Sequence, residues 1–280
     1  MIHTMIDAHF HAWQLDRGDY GWLTPALSPI YRDVKIGDWA QHASAHQIAG
    51  GVLVQAAPTL EETQFLLGQA KLNPMVKGVV GWIDFMAEDA IQNVVQCATS
   101  PLLKGLRPML QDIQDPDWIL QPQIQPVLNA MAEHHLVFDA LIKPVHMANI
   151  LKVSRAHPNL KVVIDHGAKP IINPAEMSSW KNLMRQLAQE TAPQKVMCKL
   201  SGLWTEAPKG SSIDTLVPWS QALLEIWTPQ RIIWGSDWPV LELAGSYASW
   251  REFSLKLIAH CSSEDQALIL GGNAINIYQL

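Results

Sequence analysis

Cysteine is scarce in this 280-residue chain: Cys97, Cys198 and Cys261 make an odd count with no C-x-x-C spacing. That excludes a disulfide framework and the cysteine motifs of zinc or redox sites. It leaves free thiols, as expected of a reducing cytoplasm. Positive charge is also short, with 20 Lys and Arg against 26 Asp and Glu. Such a balance lacks the basic footprint of a nucleic-acid or anionic-membrane binder. No apolar run approaches the ~18 residues of a membrane span. The opening MIHTMIDAH has neither the basic nor the apolar region of a signal peptide. Low-complexity tracts, charge blocks and Gly/Ser linkers are missing too. A doubly wound sheet would want a glycine-rich phosphate turn after its first strand, and here HFHAW stands in that place.

What the chain does hold is apolar residues, 48% of the total, enough to bury a sizeable core. Twelve tryptophans serve first for core packing and second as walls for a ring-shaped ligand. Short β-like runs alternate with amphipathic stretches. The runs fall at 5–11, 51–57, 76–85, 104–110, 136–143, 161–168, 196–204 and 231–239. They are mostly apolar rather than alternating, as parallel strands buried on both faces require. QFLLGQAKL, QPVLNAMAEHH, MANILKVSRAH and SQALLEIW carry helical periodicity, and Thr59 to Glu62 reads as a capping box. Asn73–Pro74, His157–Pro158 and Thr228–Pro229 stop helices ahead of the next strand. Residues 12–50 must hold a long loop before the first helix. Eight such units predict an α/β fold, a distorted (β/α)8 barrel in one domain over residues 1–280.

Chemistry in a barrel sits at the C-terminal ends of its strands. The polar residues predicted there are His9 and His11, Gln55, Trp82 and Asp84, Arg107, Lys143 and His146, Asp165 and His166, Lys199 and Ser201, then Asp237 and Trp238. His9 and His11 are two apart and so share one face of a strand. Each of these residues alone reads equally as a core group, a cap or an ion-pair partner; Asp237 could cap a helix and Arg107 could balance a buried carboxylate. Together, three imidazoles and a carboxylate suit one divalent ion that activates water and polarises a carbonyl. The same histidines without metal can stabilise an oxyanion while Asp237 deprotonates water. Either route hydrolyses an ester-like bond.

HFH on the first strand, DHGAKP on the sixth and GSDWPV on the eighth resemble the amidohydrolase superfamily, in its branch of sugar lactonases and 2-pyrone-4,6-dicarboxylate lactonase. GVLVQAAPTLEET, VVGWIDF, KGLRPML, KLSGLWTEA and GGNAINIYQL extend the likeness almost end to end. The resemblance implies a barrel that opens a lactone ring. His9, His11 and His166 would surround the carbonyl, or bind one metal together with Asp237, and Asp237 would be the general base. Arg107 would orient the substrate, with Gln55, Trp13, Trp82, Trp204 and Trp238 as further substrate contacts. Binuclear members carry a bridging lysine or equivalent that this chain lacks at its fourth strand, where Arg107 stands. The expectation is therefore at most one divalent metal, zinc first, or none. A single rim arginine favours a neutral aldonolactone over a dianionic pyrone, unless Arg17 or Arg32 of the first loop folds over the pocket. The alternatives are a metal-dependent decarboxylase of the same superfamily, with His146 as its extra histidine, and a non-catalytic binding barrel. A small-molecule partner, no nucleic acid, no membrane, a homodimer permitted but not demanded, and a cytoplasmic location complete the expectations.

Overall fold

The computed structural model describes residues 4–280. Eight parallel strands lie side by side in chain order: β1 (Met5–Phe10), β2 (Ile48–Val54), β3 (Val76–Gly81), β4 (Leu103–Leu106), β5 (Val137–Ala140), β6 (Lys161–Ile164), β7 (Val196–Leu200) and β8 (Ile232–Trp234). Helices cover the outside: α1 (Ile36–Ala45), α2 (Leu60–Lys71), α3 (Ala90–Ala98), α4 (Gln125–Glu133), α5 (Met147–Ala156), α6 (Pro174–Gln189), α7 (Val217–Trp227) and α8 (Tyr247–Ile258). The short helices α9 (Ser263–Ala267) and α10 (Asn273–Tyr278) end the chain. This is the (β/α)8 barrel that the sequence predicts. Among the described residues no helix is long and apolar enough to cross a membrane.

The strands are shorter than the apolar runs suggest, and almost always at the C-terminal end. DHGA, read as part of the sixth strand, is a tight turn, and the polar ends of the third, fourth, fifth, seventh and eighth runs belong to the mouth. β2 starts earlier instead, at Ile48. The first loop contains two short 3-10 turns, and α1 follows only at Ile36. Thr59 caps α2 by accepting from the Glu62 amide. Glu62 does not complete the capping box; its carboxylate reaches further back, to the amides of Ala56 and Ala57 beyond β2. That correction has a use, since Ala56 is part of the pocket wall.

The barrel interior is layered. Ile6, Ala8, Val52, Val163 and Met197 fill its lower part, and Tyr278 of α10 plugs that end. The register of β1 against β2 shifts between Asp7 and Phe10. Asp7 meets Trp39 and Tyr247 of the outer helices, and Phe10 stacks on Trp39 with ring centroids 3.8 Å apart, while His9 and His11 face inward. No ladder joins β8 to β1. That seam is closed by His11 N–H to Trp238 O and Asp237 N–H to His9 O, both 2.8 Å, and by the Asp7 carboxylate, which accepts the amide and hydroxyl of Ser236.

Candidate active site

The reactive groups gather where the seam opens to the mouth. Asp237 Oδ1 lies 3.3 Å from His11 Nε2, 3.6 Å from His9 Nε2 and 3.8 Å from His166 Nε2. All four side chains are buried. Burial by itself would raise the Asp237 carboxyl, but His166, His11 and His9 outweigh it and hold the group well below the usual carboxylate range. Burial pushes His166 down to about 4, and burial with the Lys199 ammonium holds His9 well below its ordinary value. The centre at neutral pH is therefore a carboxylate facing the neutral imidazoles of His9 and His166.

Local backbone geometry aims these groups. His166, Gly167, Ala168 and Lys169 all have positive φ, a complete left-handed turn after β6. Non-glycine residues adopt that conformation at a cost of about 1–2 kcal/mol each, and here it brings His166 and Lys169 to the same pocket. Asp237 also has positive φ. His166 Nδ1 shares a 2.9 Å hydrogen bond with Ser201 Oγ. His11 Nδ1 donates to Val54 O at 2.8 Å, which leaves Nε2 unprotonated in the neutral ring and facing the carboxylate.

Beneath the histidines lies a fully buried ionic group. Lys199 Nζ sits 2.9 Å from Asp165 Oδ1, 3.0 Å from Asp139 Oδ1 and 3.2 Å from His9 Nδ1. Tyr278 of α10 donates to Asp139 at 2.6 Å. Burial disfavours the Lys199 charge, yet the two carboxylates hold its pKa above the usual value. Asp165 is held well below the carboxylate range by Lys199 and His9 despite its burial. His9 has a partner in either tautomer. Nδ1 can accept from Lys199, making Nε2–H a donor towards the pocket, or donate to Asp165 Oδ1 at 3.5 Å, leaving the Nε2 lone pair free.

The donor set fits one divalent ion. The ligand atoms of His9, His166 and Asp237 all lie within 4.8 Å of one another, and two imidazoles with a carboxylate suit zinc. His11 stands outside that group although it touches Asp237. Its Nε2 and the carboxylate are two acceptors at 3.3 Å, a pair that calls for a proton or a cation between them.

The pocket above these residues holds about 210 Å³, and its wall includes Trp22, Met109, Gln111, Asp112 and Lys169, none of which the sequence reading assigned to the site. Lys169 belongs to the DHGAKP motif three residues after His166, so the motif offered a signal; Trp22 in the irregular first loop offered none. The other residues expected at the site take the following places. Arg107 lines the pocket, but its Nη2 donates to Gln55 O and Nη1 to Asp165 Oδ2 at 3.3 Å, so its charge is already partnered. Gln55 is buried and donates to Arg107 O at 2.8 Å, holding the arginine rather than meeting the pocket. Trp13 is fully buried, its indole donating to Arg32 O. Trp238 is also buried and donates to Glu242. Trp204 belongs to a separate cleft with Leu27 and Leu243, and Trp82 to an adjoining cavity. Arg17 pairs with Asp19 and Arg32 with Glu242, so neither folds over the reactive groups. His146 accepts from the Lys143 amide, and Lys143 Nζ donates to Gln111 O; among the described residues neither joins the metal-competent group.

A sequence profile of the amidohydrolase family matches residues 6–280. The chain belongs to the amidohydrolase family. It is 39% identical over 279 residues to an L-fucono-1,5-lactonase of Burkholderia ambifaria, spanning 98% of this chain and 95% of that protein. It is 28% identical to an L-fucono-1,5-lactonase of Burkholderia multivorans, spanning 98% and 96%. The crystal structure of an amidohydrolase from Burkholderia multivorans with bound zinc superposes with a TM-score of 0.92 at 28% identity, covering 99% of each chain. As in other barrels, the amidohydrolase centre described here sits at the C-terminal strand ends.

Proposed function

We propose that this amidohydrolase opens the ring of a neutral sugar-acid lactone, with L-fucono-1,5-lactone the first substrate to test. The observation that carries the reading is a single carboxylate oxygen within 3.8 Å of three imidazoles at the base of a small pocket. The names of the two lactonase relatives support the substrate class. The pocket wall supports a neutral ligand, because Arg107 is partnered and Lys169 pairs with Glu206.

The lactone carbonyl points its oxygen at the histidines, and a water lies against Asp237. Asp237 takes a proton as the water oxygen bonds to the carbonyl carbon. The Nε2–H groups of His9, with its Nδ1 accepting from Lys199, and of His166, with its Nδ1 accepting from Ser201 Oγ, stabilise the oxyanion. The ring C–O bond then breaks, and Asp237 returns the proton to the leaving alkoxide. The carboxylic acid product gives up its own proton to solvent. A divalent ion such as zinc, held by His9, His166 and Asp237, would supply carbonyl polarisation and a more acidic water. The zinc-containing relative supports that choice of ion.

Acid release in weakly buffered indicator solution tests the reading. The wild-type chain is expected to hydrolyse L-fucono-1,5-lactone above the spontaneous rate. Asp237→Asn should lower kcat by about a thousandfold, within the usual span for loss of a general base, with an unchanged circular dichroism spectrum. A loss below tenfold removes Asp237 from that role. The same assay after dialysis against a chelator separates an ion-polarised carbonyl from one held by imidazoles.

A further inference from the structure

Beside the catalytic pocket lies a second cavity, and it is the larger: about 480 Å³ against 210 Å³. Trp22, Met109 and Asp112 line both. Asp112 is exposed at the shared rim, so a ligand can cross from one to the other over it. The catalytic pocket alone falls below the ~300 Å³ at which ordinary ligand sites begin, and it suffices for one small ring. The second cavity continues it along the loops after β3 and β4, with Trp22, Trp82, Phe85 and Trp118 in its wall.

We propose that this second cavity binds a neutral, hydroxylated ring attached to the lactone, so that glycosylated sugar lactones are better substrates than single-ring ones. The inference rests on the lactonase reading and adds to it the substrate's size. Three features of the wall select this ligand. Aromatic faces are available for the C–H surface of a sugar; Trp22 has its indole N–H tied to Ala56 O at 2.7 Å, which fixes the ring and leaves its face to the cavity. Three carboxylates, Asp19, Asp84 and Asp112, stand in the wall, and among the described residues that line it there is no Lys, Arg or His. An anionic ring is therefore repelled. An acyl chain would strip water from those carboxylates without giving them a donor, which is costly. Ring hydroxyls give them donors. Of the three, Asp19 is held in place by Arg17 and Thr59, which both donate to its Oδ2.

The test compares kcat/KM of glucono- and galactono-1,5-lactone with that of the lactones of cellobionic, maltobionic and lactobionic acids. At least one two-ring lactone is expected to exceed its single-ring counterpart tenfold or more, mostly through a lower KM. Two variants assign the gain to the cavity. Trp118→Ala removes part of the wall. Gly21→Trp adds bulk at the cavity wall at a position that accepts a side chain, because a Cβ at Gly21 meets nothing within 4 Å and its backbone is not left-handed. Both should abolish the advantage and leave single-ring hydrolysis within twofold. The inference is overturned if no two-ring lactone outruns its parent, or if the advantage survives Gly21→Trp. If no lactone of either size is hydrolysed, L-fucono-1,5-lactone included, it is the lactonase reading that fails. The cavity is then judged by calorimetric titration of cellobiose, maltose and lactose. Binding that Gly21→Trp removes supports the second ring, and no binding, or binding indifferent to that variant, overturns it.

Discussion

Asp237 is ionised because of its neighbours, and the same burial that tunes the histidines silences the thiols. Cys198 lies inside β7 with its thiol pushed well above its ordinary range by burial. Cys97 is buried on α3, and only Cys261 is partly open. A thiol reacts as its thiolate, so Ellman's reagent should titrate at most one thiol in the native protein and three after denaturation. Rapid reaction of two or more in the native state would contradict the packing of β7. At this scale the sequence was most informative where a motif packs polar groups into an apolar run: His9, His11, His166 and Asp237 were all legible in that way. Trp13 and Trp238, expected at the substrate, are buried instead, because tryptophan near a strand end signals bulk and not direction. In both, the indole N–H finds an internal acceptor, Arg32 O or Glu242, and the ring turns into the core.

Among the elements, the loops following β6 and β7 work as one. Gly202 also has positive φ, and a Cβ there would stand 2.3 Å from His166 Nδ1. Glycine at this position lets the seventh loop pass against the imbedded imidazole while Ser201 holds its Nδ1. Gly202→Ala is therefore expected to lower kcat by at least a hundredfold with most of the fold retained, measured by steady-state acid release beside a thermal melt. Activity within threefold of wild type would mean that the ring position does not matter. The number and order of strands were legible from apolar runs, and the helix stops at His157–Pro158 and Thr228–Pro229 agree with the ends of α5 and α7. The C-terminal strand boundaries were not legible. Residues that turn out of the sheet to face a pocket, such as DHGA, follow the apolar run without a break, and their left-handed turn leaves only one glycine as its trace.

For the molecule as a whole, the seam between β1 and β8 is the weak line of the barrel and the line along which the centre lies. Asp7 secures it, accepting from Ser236 N and Oγ, Trp39 Nε1 and Tyr247 Oη at 2.7–3.0 Å. Each buried donor left unpaired costs about 1–3 kcal/mol. Asp7→Ala should therefore lose about 3 kcal/mol or more in urea denaturation at an unchanged m value. A loss under about 1 kcal/mol would show that the seam is held by other contacts. The barrel was legible as eight repeated units, but its closure was not, because it depends on pairs 226 and 229 positions apart in the chain, His11 with Asp237 and Asp7 with Ser236.

That separation has a consequence in time. Contacts between distant parts of a chain form late, since their loop must be closed first. During refolding from urea, activity should return after the helical signal, and a chain interrupted between His166 and Asp237 is expected to carry the three histidines without the carboxylate that faces them in the fold. Unfinished or half-folded copies are then expected to be chemically silent, with turnover beginning only when the two ends of the molecule have met.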